Sequence, residues 1–116
     1  MESCPVADVA QILGKKWTLP LLQQIHLYGG KGFNELMRQM KKISPKILTE
    51  RLRALENLNI IVKEVPEQDQ SKTAYYITAK GKELQVILTQ FRAWNQKHNQ
   101  KIEGCIEREC VLCERY

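Results

Sequence analysis

Residues 33 to 58 hold two amphipathic patterns only three residues apart, and that spacing limits the fold more than any other feature of the chain. Phe33, Leu36, Met37 and Met40 recur at i, i+3, i+4 and i+7, which places them on one side of a helix. After Lys41, Lys42 and Ile43 a second pattern runs from Ser44 to Leu58. Ser44 can cap it through its hydroxyl, and Pro45 suits the first helical position, where no N–H is needed. Leu48, Leu52, Leu55 and Leu58 then line one stripe, while Lys46, Thr49, Glu50, Arg53 and Asn57 project from the other side. Two such helices joined by so short a turn read as a helix-turn-helix. The outer face of the second helix carries the side-chain types that read base edges or hold phosphates in a major groove.

The following segment narrows the class. Ile60 to Val65 is rich in β-branched residues, Pro66 to Lys72 is polar with a leading proline, and Thr73 to Thr78 contains Tyr75, Tyr76 and Ile77. A strand, a loop and a strand come directly after the helix pair, so the expected fold is a winged helix-turn-helix of mostly helical α+β class.

Flanking helices complete the pattern. Pro5 at a first helical position makes Cys4 the N-cap of a helix through Val6, Val9, Ala10, Ile12 and Leu13, with Gly14 as its stop. A thiol there faces unpaired N–H groups and the positive end of the helix dipole, which favours thiolate; a reactive role and a merely capping or packing one are both open. Trp17 to Tyr28 is expected to form the next helix, with Trp17, Leu21, Leu22, Ile25 and Tyr28 inward and Gly29-Gly30 ending it. Pro20 must lie in its first turn, which sets the start near Trp17. His26 reads as a surface or satisfied polar residue. Thr78 caps a long helix from about Ala79 to Glu103, roughly 37 Å at 1.5 Å per residue, with Gly81 in its first turn. Its stripe is Leu84, Ile87, Leu88, Phe91, Trp94 and Ile102. So long a helix overshoots a winged helix, and its far half is expected to pack against another subunit, giving N- and C-terminal dimerisation helices; the alternative is an intramolecular amphipathic helix with a frayed end.

Charge supports a nucleic-acid partner. The 116-residue chain carries a net charge of +5. From Lys31 to Lys63 there are eight basic residues against three glutamates, so this third of the sequence holds the whole excess. Such a patch favours phosphate backbones through counterion release. The first residues contain Asp8 and no long apolar core, and no apolar run has the length of a membrane span, so the expectation is a cytoplasmic protein without membrane contact. Thiols there are kept reduced, which makes the four cysteines free, reactive or metal-bound rather than a disulfide framework.

The chain divides into residues 1–104, the DNA-binding and dimerisation domain, and a cysteine-rich tail, 105–116. Cys105, Cys110 and Cys113 give a C-x4-C-x2-C spacing, and Cys110 with Cys113 can reach one tetrahedral metal. Redox chemistry, a zinc or iron–sulfur site completed by Cys4, His98 or a partner subunit, and no role at all remain open for the tail. No cofactor is required by the rest of the chain. With only His26 and His98, and no nucleophile elbow, phosphate loop or complete metal-hydrolase motif, an enzyme is not expected.

Several runs together resemble the HxlR-type regulators, relatives of the MarR group. They are Cys4-Pro5-Val6, Ile12-Leu13-Gly14-Lys15-Lys16-Trp17-Thr18, Gly32-Phe33-Asn34-Glu35-Leu36, Ile43-Ser44-Pro45-Lys46-Ile47-Leu48-Thr49, Arg51-Leu52-Arg53-Ala54-Leu55-Glu56 and Tyr76-Ile77-Thr78-Ala79-Lys80-Gly81. The resemblance runs in order from Cys4 to about Leu88. It implies a homodimer built from the first and last helices that binds inverted-repeat operators in double-stranded DNA. It also implies that Cys4 occupies the place where some members sense oxidants, quinones or aldehydes. Pro20 departs from an aliphatic residue usual in the family, and the hairpin loop carries Glu67 and Asp69 beside Lys72. The tail cysteines are not part of the shared pattern.

The expected function is therefore sequence-specific transcription regulation with redox or electrophile sensing through Cys4. Candidate base or phosphate contacts are Lys46, Thr49, Glu50 and Arg53, with Ser44 at the helix start. Arg38, Lys41, Lys42 and Arg51 are candidates for the backbone, and Lys72 for the flanking minor groove. Two alternatives stand beside this: a metal- or iron–sulfur-responsive regulator using Cys105, Cys110 and Cys113, and a winged-helix protein-interaction module without DNA affinity.

Overall fold

The computed structural model describes residues 4–98. In chain order these form α1 (Pro5–Leu13), α2 (Thr18–Leu27), α3 (Phe33–Met40), α4 (Pro45–Asn57), β1 (Ile61–Glu64), β2 (Ala74–Ile77) and α5 (Ala79–His98). Cys105, Cys110 and Cys113, together with Ile102, the expected helix end at Glu103 and the boundary after residue 104, lie outside the described residues. The architecture is the winged helix-turn-helix that the sequence pattern predicts.

Both ends of α4 are chemically fixed. At its start the Ile47 N–H donates to Ser44 Oγ at 3.2 Å, with Pro45 at the first helical position. At its end Asn59 takes a left-handed conformation, φ 59°, a region in which an asparagine side chain is well tolerated. The Asn59 N–H then reaches Glu56 O at 2.9 Å and the Ile60 N–H reaches Leu55 O at 3.0 Å, a Schellman closure. Leu55 and Ile60 are both buried, so the closure carries its usual apolar contact. Between α3 and α4, Lys41 has φ 56° and ψ −59°, and Lys42 N–H donates back to Met40 O at 2.6 Å. That γ-turn is strained for a lysine, at a cost of order 1–3 kcal/mol. It turns the chain in three residues and leaves both lysines in water.

One core holds the helices and hairpin together. Leu21, Leu22 and Ile25 from α2, Leu36 and Met40 from α3, and Leu48, Leu52 and Leu55 from α4 are each no more than 2% exposed. Pro20 sits in the first turn of α2 and is itself buried, so it is accommodated where its missing N–H costs nothing. The hairpin pairs Ile61 with Ile77, Val62 with Tyr76 and Lys63 with Tyr75, antiparallel. Lys31 adds a single bridge to Tyr75 on the outer side of β2.

One inward assignment needs correction, and one cap is of the backbone alone. Tyr28 is 42% exposed, because α2 stops at Leu27 and Tyr28 leaves the helix with φ −130°. Its ring instead lies under Lys31 Nζ, 4.6 Å from the ring centroid. Cys4 is the N-cap of α1, yet its thiol makes no capping hydrogen bond; only its carbonyl serves the helix, accepting from Asp8 N–H at 2.9 Å.

The hairpin, α4 and α5 converge at Thr78. Its hydroxyl donates toward Asn59 O at 2.6 Å and Ile60 O at 3.0 Å and accepts from Gly81 N–H at 3.0 Å. Lys80 Nζ reaches Leu58 O at 2.7 Å. No helix among the described residues is long and apolar enough to cross a membrane. Gly81 is demanded by this packing rather than merely tolerated in a first turn. A Cβ there would run into Ile60 O and stand 2.6 Å from Ile77 Cγ1. Gly81→Ala is thus expected to destabilise the fold by about 1–3 kcal/mol, against the gain of up to ~1 kcal/mol that the same exchange gives in an open helix. Urea unfolding of the variant decides between the two signs.

Candidate nucleic-acid interface

Helix α4 presents a polar ridge to solvent. Lys46, Glu50, Arg53 and Asn57 are exposed along it, and Ser44 is exposed at its start. Thr49 is half-buried at its edge, where its hydroxyl donates to Pro45 O at 2.9 Å. Such back-bonding fixes the rotamer and leaves the oxygen lone pairs free to accept. Arg38 on α3, Lys41 and Lys42 in the turn, and Lys72 at the end of the hairpin loop are exposed as well.

Arg51 is placed apart from these. Its Nε donates to Lys16 O at 2.9 Å, and its side chain is 15% exposed with Glu50 3.8 Å away. It braces α4 against the turn between α1 and α2 instead of standing free on the outer face. The target carbonyl lies 35 residues earlier in the chain, so no local pattern marks it.

A cleft of about 830 Å³ opens between α3, α4 and the hairpin. Arg38, Arg53 and Lys72 meet in it, and Lys63 joins them; Glu35 and Glu56 are the opposing charges on its wall. The net cationic lining suits a polyanion. Lys46, Lys41, Lys42 and Ser44 lie outside the cleft, on the ridge and turn beside it. Lys63 and Tyr75 line the cleft without having been singled out as candidates. One signal for Lys63 exists in the sequence: it shares the parity of core-facing Ile61, where a lysine is out of place unless something polar lies beyond the core.

The loop of the hairpin is ordered by its acid. Asp69 accepts from both the N–H and the hydroxyl of Ser71, and these bonds hold its carboxyl below the ordinary carboxylate range. Thr73 Oγ1 closes the turn on Gln70 O at 2.7 Å. Asp69 therefore shapes the segment that presents Lys72.

Two further surfaces are apolar and uncovered. Helix α1 has no buried residue, with Val6 77% exposed, and α5 exposes Ile87, Phe91 and Trp94 by 59, 55 and 58%. Phe91 and Trp94 stack at 6.3 Å, and Trp94 meets His98 at 5.3 Å. Cys4 is exposed at the start of α1. Among the described residues no group of three His, Cys, Asp or Glu side chains is arranged to hold a metal ion.

Comparison with known proteins gives these features a context. The family model described as HxlR-like helix-turn-helix matches residues 12–103. YdeP, an HTH-type transcriptional regulator of Bacillus subtilis (strain 168), is 34% identical over 102 residues, covering 88% of this chain and 79% of its own. The reduced form of the B. subtilis transcriptional regulator YodB superposes with a TM-score of 0.74 at 30% identity, over 86% of this chain and 98% of that one. YodB has also been solved quinone-bound and after diamide treatment. The redox regulator HypR in its reduced form gives a TM-score of 0.72 at 31% identity, over 87% and 99% of the two chains. These relatives are regulators of transcription or of redox response, not enzymes. With sequence and fold agreeing over most of its length, the chain belongs to the HxlR-like helix-turn-helix family of transcriptional regulators.

Proposed function

We propose that the protein binds an inverted-repeat operator as a homodimer and releases or rearranges on it when Cys4 is modified. The observation that carries the DNA reading is the exposed ridge of Lys46, Glu50, Arg53 and Asn57 on a helix capped at both ends, beside a cleft with a cationic excess. A rigid helix with this face can enter a major groove, with Arg53 suited to a bidentate contact with guanine. Arg38, Lys41, Lys42 and Lys72 surround it as phosphate contacts.

Dimerisation is supported by the two uncovered apolar faces. Leu84, Ile87, Phe91, Trp94 and His98 follow the alternating three- and four-residue spacing of a two-helix seam. Pairing of α5 with its counterpart, with α1 packed alongside, would cover both faces at once. Two α4 helices then face successive major grooves about 34–36 Å apart.

Sensing is supported by where Cys4 sits. It is exposed at the start of the helix whose apolar stripe belongs to the proposed interface, so an adduct there alters α1 docking and with it the distance between the α4 helices. Addition to a quinone breaks the S–H bond of Cys4 and a C=C π bond of the ring, forms one C–S bond at Sγ and passes the thiol proton to the ring, which becomes a hydroquinone, so no second thiol is needed. The related YodB and HypR, described by their solved redox forms, lend this reading weight.

Two outcomes check these roles. Arg53→Ala is expected to relax discrimination at particular base pairs by about 1–3 kcal/mol, read by a binding selection on random duplexes; an unchanged preference removes Arg53 from the base contacts. Cys4→Ser is expected to keep its mobility shift after quinone or oxidant treatment that abolishes the parent's. Equal loss in both proteins means the switch is elsewhere.

A further inference from the structure

Tyr75 lies mid-strand in β2 with its main chain fixed on the side of Lys31. Its N–H donates to Lys31 O and its C=O accepts from Gly30 N–H, each at 3.0 Å. Across the hairpin it is paired with Lys63. Only 6% of the residue is exposed and it belongs to the hydrophobic core, yet it also lines the cleft together with Lys63, Arg53 and Glu56. A phenol with its ring sunk in a core and its edge at a cationic cleft is a donor whose position is already set. Engaging it orders nothing further, so the hydrogen bond is not offset by side-chain entropy.

The occupant follows from the lining. Thr49 and Arg53 of α4 and Lys72 of the hairpin loop all line the cleft, so a strand backbone that runs from α4 to the hairpin passes over it. Phosphate oxygens only accept, and a hydroxyl and an ammonium side by side suit them. Glu56 lies on the same wall and its charge acts on the Tyr75 hydroxyl, so a phosphate settles there only where the cations that line the cleft, Arg53 and Lys63 among them, outweigh it. Burial foremost and the Glu56 charge next push the Tyr75 hydroxyl above its ordinary pKa, with Arg53 opposing, and the group stays protonated at neutral pH.

We propose that Tyr75 is a DNA-backbone contact: its hydroxyl donates to one phosphate of the strand crossing the cleft, alongside the Lys63 ammonium. The proposal rests on α4 being the groove-entering helix. The test uses the full chain and a duplex that the parent protein itself selects from a random-sequence pool, resynthesised with single methylphosphonates at each position. Tyr75→Phe keeps the ring and its packing, so its thermal midpoint stays near the parent's. Its affinity is expected to fall about tenfold, the effect of one hydrogen bond to a charged acceptor. The slope of log affinity against log salt stays the same, because no cation is lost. At one phosphate in each half-site, methylphosphonate weakens Tyr75→Phe less than it weakens the parent, the remaining effect being the Lys63 contact, and that reduced interference at a single position is the signature a purely structural tyrosine lacks. Parent-like affinity, or weaker binding with the parent's full interference pattern, overturns the proposal while leaving α4 in its groove. A parent protein that selects no duplex overturns both.

Discussion

The hydroxyl of Thr78 is the point on which the arrangement of surfaces depends. It sits where α4 gives way to β1 and where β2 gives way to α5, and it bonds to both junctions. Neighbouring Lys80 satisfies the carbonyl of Leu58, which the end of α4 leaves without a helical partner. Each bond is worth roughly 1 kcal/mol net, and leaving the part-buried Ile60 carbonyl and Gly81 N–H unpaired would cost more. Gly81 completes the joint by letting α5 close on the Ile60 carbonyl. The helix that carries the cationic ridge and the helix that carries the uncovered apolar seam are thereby joined as one body. For a regulator of this family that joint matters mechanically, since on the proposed dimer it is a direct covalent and hydrogen-bonded route from the seam to the groove, beside the shared core and the Arg51–Lys16 contact.

Opposing demands are met by dividing roles among like residues. Arginines of α4 illustrate this: Arg51 turns inward to the Lys16 carbonyl and fixes the helix against the N-terminal half, while Arg53, two positions on, points to the cleft. Acids are divided similarly. Asp69 organises the hairpin loop through Ser71, whereas Glu35 and Glu56 face the cleft and limit where an anion can settle. The strained turn at Lys41 belongs with these, because a relaxed turn of three residues would not bring α4 up so soon after α3.

Much of the fold is legible in the sequence because its signals are local. Ser44-Pro45 marks the start of α4, the 3.6-residue spacing of leucines marks its buried side, and β-branched runs mark the hairpin. Thr78 is recognisable as a cap from its place before a long amphipathic run. What escaped local reading depends on distant partners. Tyr28 continues the apolar spacing of α2, but the chain has already left the helix there. Arg51 has no sequence neighbour that reveals Lys16 as its partner. Gly81 looks inexpensive in a first turn, and its cost becomes visible only when Ile60 O is placed beside it. Of the candidate contacts, Arg38, Thr49, Arg53 and Lys72 converge on the cleft, while Lys63 and Tyr75 join them only through hairpin register.

Hydrogen–deuterium exchange of Thr78→Val beside the parent protein tests the central claim most directly. Valine keeps the shape and removes the hydroxyl, so the joint loses the bonds that the hydroxyl makes without losing its packing. If α4 and α5 are one body through Thr78, protection falls together at the end of α4, at the Ile60 junction and in the first turn of α5. Lost protection confined to the first turn of α5, with the end of α4 as slow as in the parent, would contradict it.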